Sequence, residues 1–287
     1  VTLFLALASY AHAEDPTFAG TKAAEVAEKP VTKLTANVGG TFTAGNSESV
    51  SFNAGLDVSH KWGQNQLGVV GSAGLGFGAI DANADGFLAE SERCIGKSDT
   101  ECAPNTEKYA IDARYDRFFG ETSSLYALVG GYHDKFAGFE LRVHGQLGYA
   151  KRIISNDRTM LKVEAGIDFA NEDYVEGVVP NNTKLLAAQV AADFSHTFNE
   201  NVSFKNALTV YEPLLTQPEG SPFAPYFTDI RVTNTASINA KVSNRLSISV
   251  SDTLAWRNEP IAAPTGITES RSPFDNTLTV ALVASLL

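Results

Sequence analysis

The segment Asp81-Ala-Asn83-Ala-Asp85-Gly86-Phe87-Leu88-Ala89-Glu-Ser-Glu92 places oxygen donors at the spacing of a twelve-residue calcium loop. Calcium takes about six to eight hard oxygens. The side chains of Asp81, Asn83 and Asp85 would wrap one side of a Ca2+ ion, and Gly86 permits the sharp turn. The Phe87 carbonyl would point inward, Ala89 would act through water, and Glu92 would close the shell with two oxygens. Leu88 supplies the apolar residue common at its position. The expectation is one EF-hand-like site, in a setting where a strand and not a helix comes first. The plainer alternative is an acidic, Gly-containing surface loop. Cys94 and Cys102 follow directly, and in an exported chain they are expected to form a disulfide that staples the same loop. A metal–thiolate site would need more soft ligands nearby, and the sequence shows none.

A second group of residues could act inside the molecule. Asp112, Arg114 and Asp116 alternate along one stretch, as do Arg142, His144 and Gln146 on another. Lys162, Glu164 and Asp168 do the same, and Asp193, Lys205, Asp229 and Arg231 lie on further stretches. Period-two spacing turns all of them to one face of their strands. If residue 152 pairs with 158 across the Ser155–Asp157 turn, Arg142 faces Asp168 and Gln146 faces Glu164. Such a constellation makes either a polar pore that selects solutes or a salt-bridged filling of a narrow barrel. Lipid hydrolysis would need Ser and His on one face with an orienting partner. Beyond residues 1–13 the histidines are His60, His133, His144 and His196, and no Gly-x-Ser-x-Gly occurs, so enzymatic activity is not expected.

The elements that hold these residues are long alternating strands. In Val50–Ser59 the set Val50, Phe52, Ala54, Leu56, Val58 is apolar, and the opposite set is Ser51, Asn53, Gly55, Asp57, Ser59. The pattern predicts about twelve strands: 32–44, 49–62, 65–79, 107–119, 124–133, 140–152, 158–170, 184–198, 202–213, 226–242, 245–257 and 275–287. Most reach the ~9–11 residues that a tilted strand needs to cross a bilayer. Tight turns (Gln64, Glu121–Ser124, Ser155–Asp157, Asn199–Asn201, Ser243–Arg245) alternate with connections at 80–106, 134–139, 171–183, 214–225 and 258–274. Gly45–Glu48 is the short member of that second set. Short turns on one side and long loops on the other predict an all-β, transmembrane, antiparallel up-and-down barrel, with polar faces inward and apolar faces on lipid. Trp62, Phe119 and Phe198 by the turns, and Phe42, Tyr109, Tyr211 and Trp256 by the loops, would form two interfacial girdles. A secreted soluble β-protein is the alternative.

Val1–Ala13 reads as the apolar region and Ala-x-Ala cleavage site of a partial signal peptide. Residues 14–31 show no strand period and read as a mobile periplasmic tail. The barrel would then occupy 32–287, with both ends periplasmic and the 80–106 loop outside. No apolar run reaches the ~18 residues of a membrane helix. The net charge of −11 argues against nucleic acid and is compatible with a cationic partner. The expected partners are outer-membrane lipid and lipopolysaccharide, together with small ions or solutes, around a monomer.

Tyr126–Tyr174 contains a Tyr-x-Asp-Lys-Phe-x-Gly turn at Tyr132–Gly138, a Leu-Gly-Tyr strand, an Asp-Arg-Thr turn at Asp157–Thr159, and Glu164-Ala-Gly166. Gly45-Asn46-Ser47 and the final strand Asp275–Thr279 add to the pattern. With these features the chain resembles the salt-induced outer-membrane protein family, a β-barrel family of unknown function. The likeness covers most of residues 32–287 and departs from the family in the insertion at 80–106 and in the Leu286-Leu287 ending. It implies an outer-membrane barrel, a role under ionic stress, and no defined biochemical activity.

Calorimetry of the full chain with Ca2+ should show binding on the order of 10⁻⁴–10⁻³ M, as lone extracellular sites do. The heat should vanish in Asp81→Ala and in Glu92→Ala. A native protein that gives no heat would remove the calcium reading.

Overall fold

The computed structural model describes residues 27–43, 49–79, 94, 102–259 and 273–286. Its strands are β1 (Ala27–Thr43), β2 (Ser49–Gly63), β3 (Asn65–Gly78), β4 (Ala103–Phe119), β5 (Ser123–Asp134), β6 (Phe139–Ser155) and β7 (Thr159–Tyr174). There follow β8 (Asn182–Thr197), β9 (Val202–Pro218), the two-residue β10 (Ala224–Pro225), β11 (Arg231–Lys241), β12 (Leu246–Arg257) and β13 (Phe274–Ser285). All the pairings are antiparallel, and β8 with β9, β9 with β11 and β13 with β1 close the sheet on itself. The result is a closed antiparallel barrel of twelve long strands, with β10 a short rung on β9.

Period-two alternation decides which way each side chain points. Along β6 the buried residues Arg142, His144, Gln146, Ala150 and Arg152 face in, and Leu141, Val143, Leu147 and Tyr149 are exposed. The exterior is apolar at many such positions, with Leu147 69 %, Val38 63 % and Phe52 62 % exposed. Soluble monomers rarely carry so continuous an apolar surface. Aromatic pairs gather near both strand ends. Trp62 lies 6.4 Å from Tyr115, Phe119 6.0 Å from Tyr149, and His196 5.0 Å from Phe198 at the tight-turn end. Tyr109–His133 at 5.9 Å and Trp256–Phe274 at 6.4 Å mark the loop end.

Several expectations require correction. Several strands run further than their alternation suggests, whereas β11, expected at 226–242, spans only Arg231–Lys241. β6 reaches Ser155 and β7 reaches Tyr174, so the connection at 171–183 shrinks to 175–181. The connection at 134–139 is itself a tight turn: Asp134 Oδ1 accepts from the Ala137 N–H at 2.9 Å, and Gly138 has φ 96°. β1 begins at Ala27, inside the expected tail, while residues 1–26 lie outside the described residues. The expected register between β6 and β7 was displaced by four residues. Ser155 pairs with Met160, and a bulge near Ile153 follows, so Arg142 stands opposite Glu172 and Gln146 opposite Asp168. The cause is the turn itself. Asn156 Oδ1 accepts from the N–H groups of Arg158 and Thr159, at 3.0 and 2.8 Å, and sets a later reversal than the assumed 152–158 pair. Finally, Tyr211 is not a girdle residue; it faces inward and is buried. Phe42 lies where side chains are outside the described residues.

Leu147→Arg should discriminate lipid from water around the barrel. Mid-strand on a lipid face, an arginine costs about 2–4 kcal/mol, whereas an exposed position on a soluble protein tolerates it within about 0.5 kcal/mol. Urea unfolding in lipid vesicles would measure the difference.

Candidate functional site

The lumen is divided into two unlike halves. On β4–β9 and β11–β12, charged side chains meet in two clusters. Nearer the tight turns, Arg114 donates to Asp116 at 2.9 and 3.0 Å and to both oxygens of Glu164 at 2.8 Å. Its guanidinium lies 3.9 Å from the Tyr126 ring centroid. Lys162 bridges Glu164 at 2.7 Å and Asp193 at 2.8 Å. Glycines make room for this cluster. A Cβ at Gly148 would stand 2.5 Å from Tyr126 Cζ, and one at Gly166 would stand 2.7 Å from the Tyr126 hydroxyl. The ring therefore lies flat across two glycines and carries Arg114 on its other face.

The second cluster crosses the barrel nearer the loops. His144 Nε2 lies 3.0 Å from Asp112 Oδ1, and Nδ1 lies 3.1 Å from Asp168 Oδ1. An imidazole donates from both nitrogens only when protonated. Arg142 donates to Asp168 at 3.0 Å and to the Tyr211 hydroxyl at 3.0 Å, and Tyr211 donates to Asp168 at 2.8 Å. Glu172, fully buried, accepts from Arg231 at 2.6 Å and from Tyr174 at 2.8 Å, with Arg142 at 3.5 Å. Asp229 accepts from Arg231 at 2.7 Å and from Arg257 at 2.6 Å. Four carboxylates thus meet three guanidiniums and one histidine. Buried charges survive only when paired in this way.

The other half of the lumen carries hydroxyls and amides. A cavity of about 550 Å³ toward the tight turns is lined by Asn37, Thr235, Ser237, Ser251 and Thr279 among others. Arg152, Asp193 and Lys205 stand at its charged side. A second cavity of about 340 Å³ is lined by Asn53, Asp57, Thr253, Thr277 and Tyr132 among others. Asn37, Ser251 and Thr279 line both.

Of the residues expected to line the lumen, Asp112, Arg114, Asp116, Arg142, His144, Lys162, Glu164, Asp168, Asp193 and Arg231 enter the ionic clusters. Gln146 is buried beside them, and Lys205 faces the larger cavity as an exposed residue. Asp229 also belongs to the network, but from the segment that precedes β11 rather than from a strand. Sequence reasoning missed Glu172, Tyr174, Tyr126 and Arg257. Glu172 and Tyr174 continue the parity of Asp168 past the point where the strand was expected to stop. Cys94 and Cys102 form the expected disulfide, with Cα atoms 5.1 Å apart, immediately before β4. Asp81, Asn83, Asp85, Phe87 and Glu92 lie outside the described residues.

A family model described as a protein of unknown function, DUF481, matches residues 36–286. No curated protein matches the chain. Among solved structures, an outer-membrane channel from Pseudomonas putida F1 is similar with a TM-score of 0.52 at 10 % identity, over 89 % of this chain and 95 % of that one. The NanC porin gives 0.49 at 9 % identity, over 88 % and 100 %. The KdgM porin, solved with disordered oligogalacturonate, gives 0.43 at 9 % identity, over 90 % and 100 %. At 10 % identity the likeness to the Pseudomonas channel is one of fold: this is the fold of the outer-membrane barrels.

Glu172→Gln should strip Arg142 and Arg231 of a buried countercharge and destabilise the barrel by about 3–5 kcal/mol. Denaturant titration of the refolded protein would read the loss. Adding Arg231→Met to the same chain should recover part of it, because one buried cation then leaves with the lost carboxylate charge while Asp229 keeps Arg257.

Proposed function

The chain belongs to the DUF481 family of proteins of unknown function, and from that premise we propose that it is a narrow outer-membrane channel for small polar solutes. The observation that carries this reading is the pair of cavities that share Asn37, Ser251 and Thr279. Their volumes, about 550 and 340 Å³, fall in the range of about 300–1,000 Å³ typical of small-molecule sites. The charged half of the lumen supplies rigidity, and solutes pass along the neutral half. The apolar exterior and its aromatic pairs support residence in the outer membrane. In that setting the turns after β2, β4, β6, β8 and β11, with the start of β1 and the end of β13, face the periplasm.

The calcium reading of residues 81–92 is retained on its motif. The Cys94–Cys102 disulfide beside it would hold the ion's loop at the mouth of β4. A role in ionic stress rests on the family resemblance alone. The competing reading is a calcium-stabilised structural or surface-interaction barrel without a pore, whose buried ion network serves stability; the extent of that network favours it over enzymatic alternatives.

Planar-bilayer recording of the refolded protein separates the two. Discrete conductance steps are expected. Lys205→Glu, at the wall of the larger cavity, should shift selectivity toward cations. Arg142 and Arg231 are spent on buried carboxylates, so they are poor probes of selectivity. A folded barrel that stays silent would establish the structural reading instead.

A further inference from the structure

Resting on the channel reading, we infer that the neutral half of the lumen is a binding strip for an uncharged polyhydroxy solute, a small sugar or polyol. The strip is built from Asn37, Asn53, Ser251, Thr253, Thr277 and Thr279, on β1, β2, β12 and β13. Each of these side chains offers hydrogen-bonding groups without formal charge. Such a wall can replace the water of a hydroxyl-rich solute one bond at a time. A bare ion fares worse, because its hydration is lost and no countercharge replaces it.

A second observation points to a ligand. Thr277 is 8 % exposed, lines the 340 Å³ cavity, and its Oγ1 has no hydrogen-bond partner among the described residues. Buried hydroxyls are nearly always satisfied, and one left unmet beside a cavity gains a partner when its rotamer turns toward a hydroxyl held there. Its neighbour Thr253 is already engaged with Thr235 at 3.0 Å. The Asn37 amide lies across Gly55, where a Cβ would come within 2.6 Å of Nδ2, so glycine keeps this part of the wall thin.

Charged residues also line the two cavities, beside the strip and toward both mouths. Asp57 faces the smaller cavity and feels Lys205 and Lys33 across the lumen. Lys108 and Asp134 stand toward the loops. Arg152 and Asp193 stand toward the tight turns, where Asp193 is neutralised by Lys162. Charges of both signs around the cavities would admit hydrated solutes, and the row of hydroxyls and amides would favour the neutral ones.

The test uses the full-length barrel in proteoliposomes. Osmotic swelling in glucose should be faster than in gluconate, which has a similar size and one negative charge, and faster than in glucosamine, which carries a positive one. Glucose should also reduce ionic conductance in a concentration-dependent manner. Thr277→Val should weaken that block roughly three- to tenfold, the worth of one neutral hydrogen bond, with circular dichroism confirming the barrel. Should Thr277→Val fail to fold, Ser251→Ala serves the same purpose. Conductance with charged sugars swelling as fast as glucose, or with no glucose block, would overturn this inference and leave the channel reading intact. Neither conductance nor swelling from a folded barrel would overturn both.

Discussion

Every backbone N–H and C=O of the sheet must find a partner on a neighbouring strand, and the barrel follows from that constraint. An open sheet would leave two edges of unpaired groups. Closure is made where β13 meets β1, with Thr35–Gly40 against Val280–Ser285. This seam is the shortest pairing between long strands, whereas β1 and β2 pair from Leu34 to Thr43 and beyond. The two strands farthest apart in sequence therefore complete the ring, and all other pairings are between neighbours in the chain apart from the short β10 rung. A topology of hairpins needs only turns, which is why Asn156 and Gly138 carry so much of the register.

Closing the ring creates an interior that alternation fills with polar side chains. The chain meets this by setting large residues across from small ones. Tyr126 lies over Gly148 and Gly166, and Asp112 reaches past Gly130 to His144. These glycines act through the space they leave, since their backbone is ordinary strand. The same principle explains the division of the lumen. Long charged side chains gather on β4–β9 and β11–β12, where they neutralise one another. Serine, threonine, asparagine and glycine on β1–β3 and β12–β13 are too short to meet across the gap, and space remains. A choice between an open pore and a filled barrel is thus replaced by a half-filled one.

The legible part of the fold was large. Strand number, parity, the inward set and the disulfide could all be read from alternation, from turn residues and from two cysteines. Less legible were strand ends and register. Alternation weakens where strands rise beyond the apolar band, so β6 and β7 were cut short and Glu172 was overlooked. Tyr211 misled because its aromatic ring near a loop suits an interfacial belt; its parity with Thr209 and Pro213 would have turned it inward. A hairpin's register depends on which residue closes the turn, and the Asn156 side chain decided that locally.

By itself the sequence determined the face of most strand residues, because a period of two admits only two answers and a slip of four leaves parity unchanged. It also determined the barrel class, since long two-faced strands joined by turns have few other ways to pair. The tertiary structure alone decided which charges meet. Arg231 finds Glu172, and Arg114 finds Glu164, across intervals of 59 and 50 residues. Those distances depend on ring closure, strand stagger and the bulge near Ile153, none of which is written in any single strand.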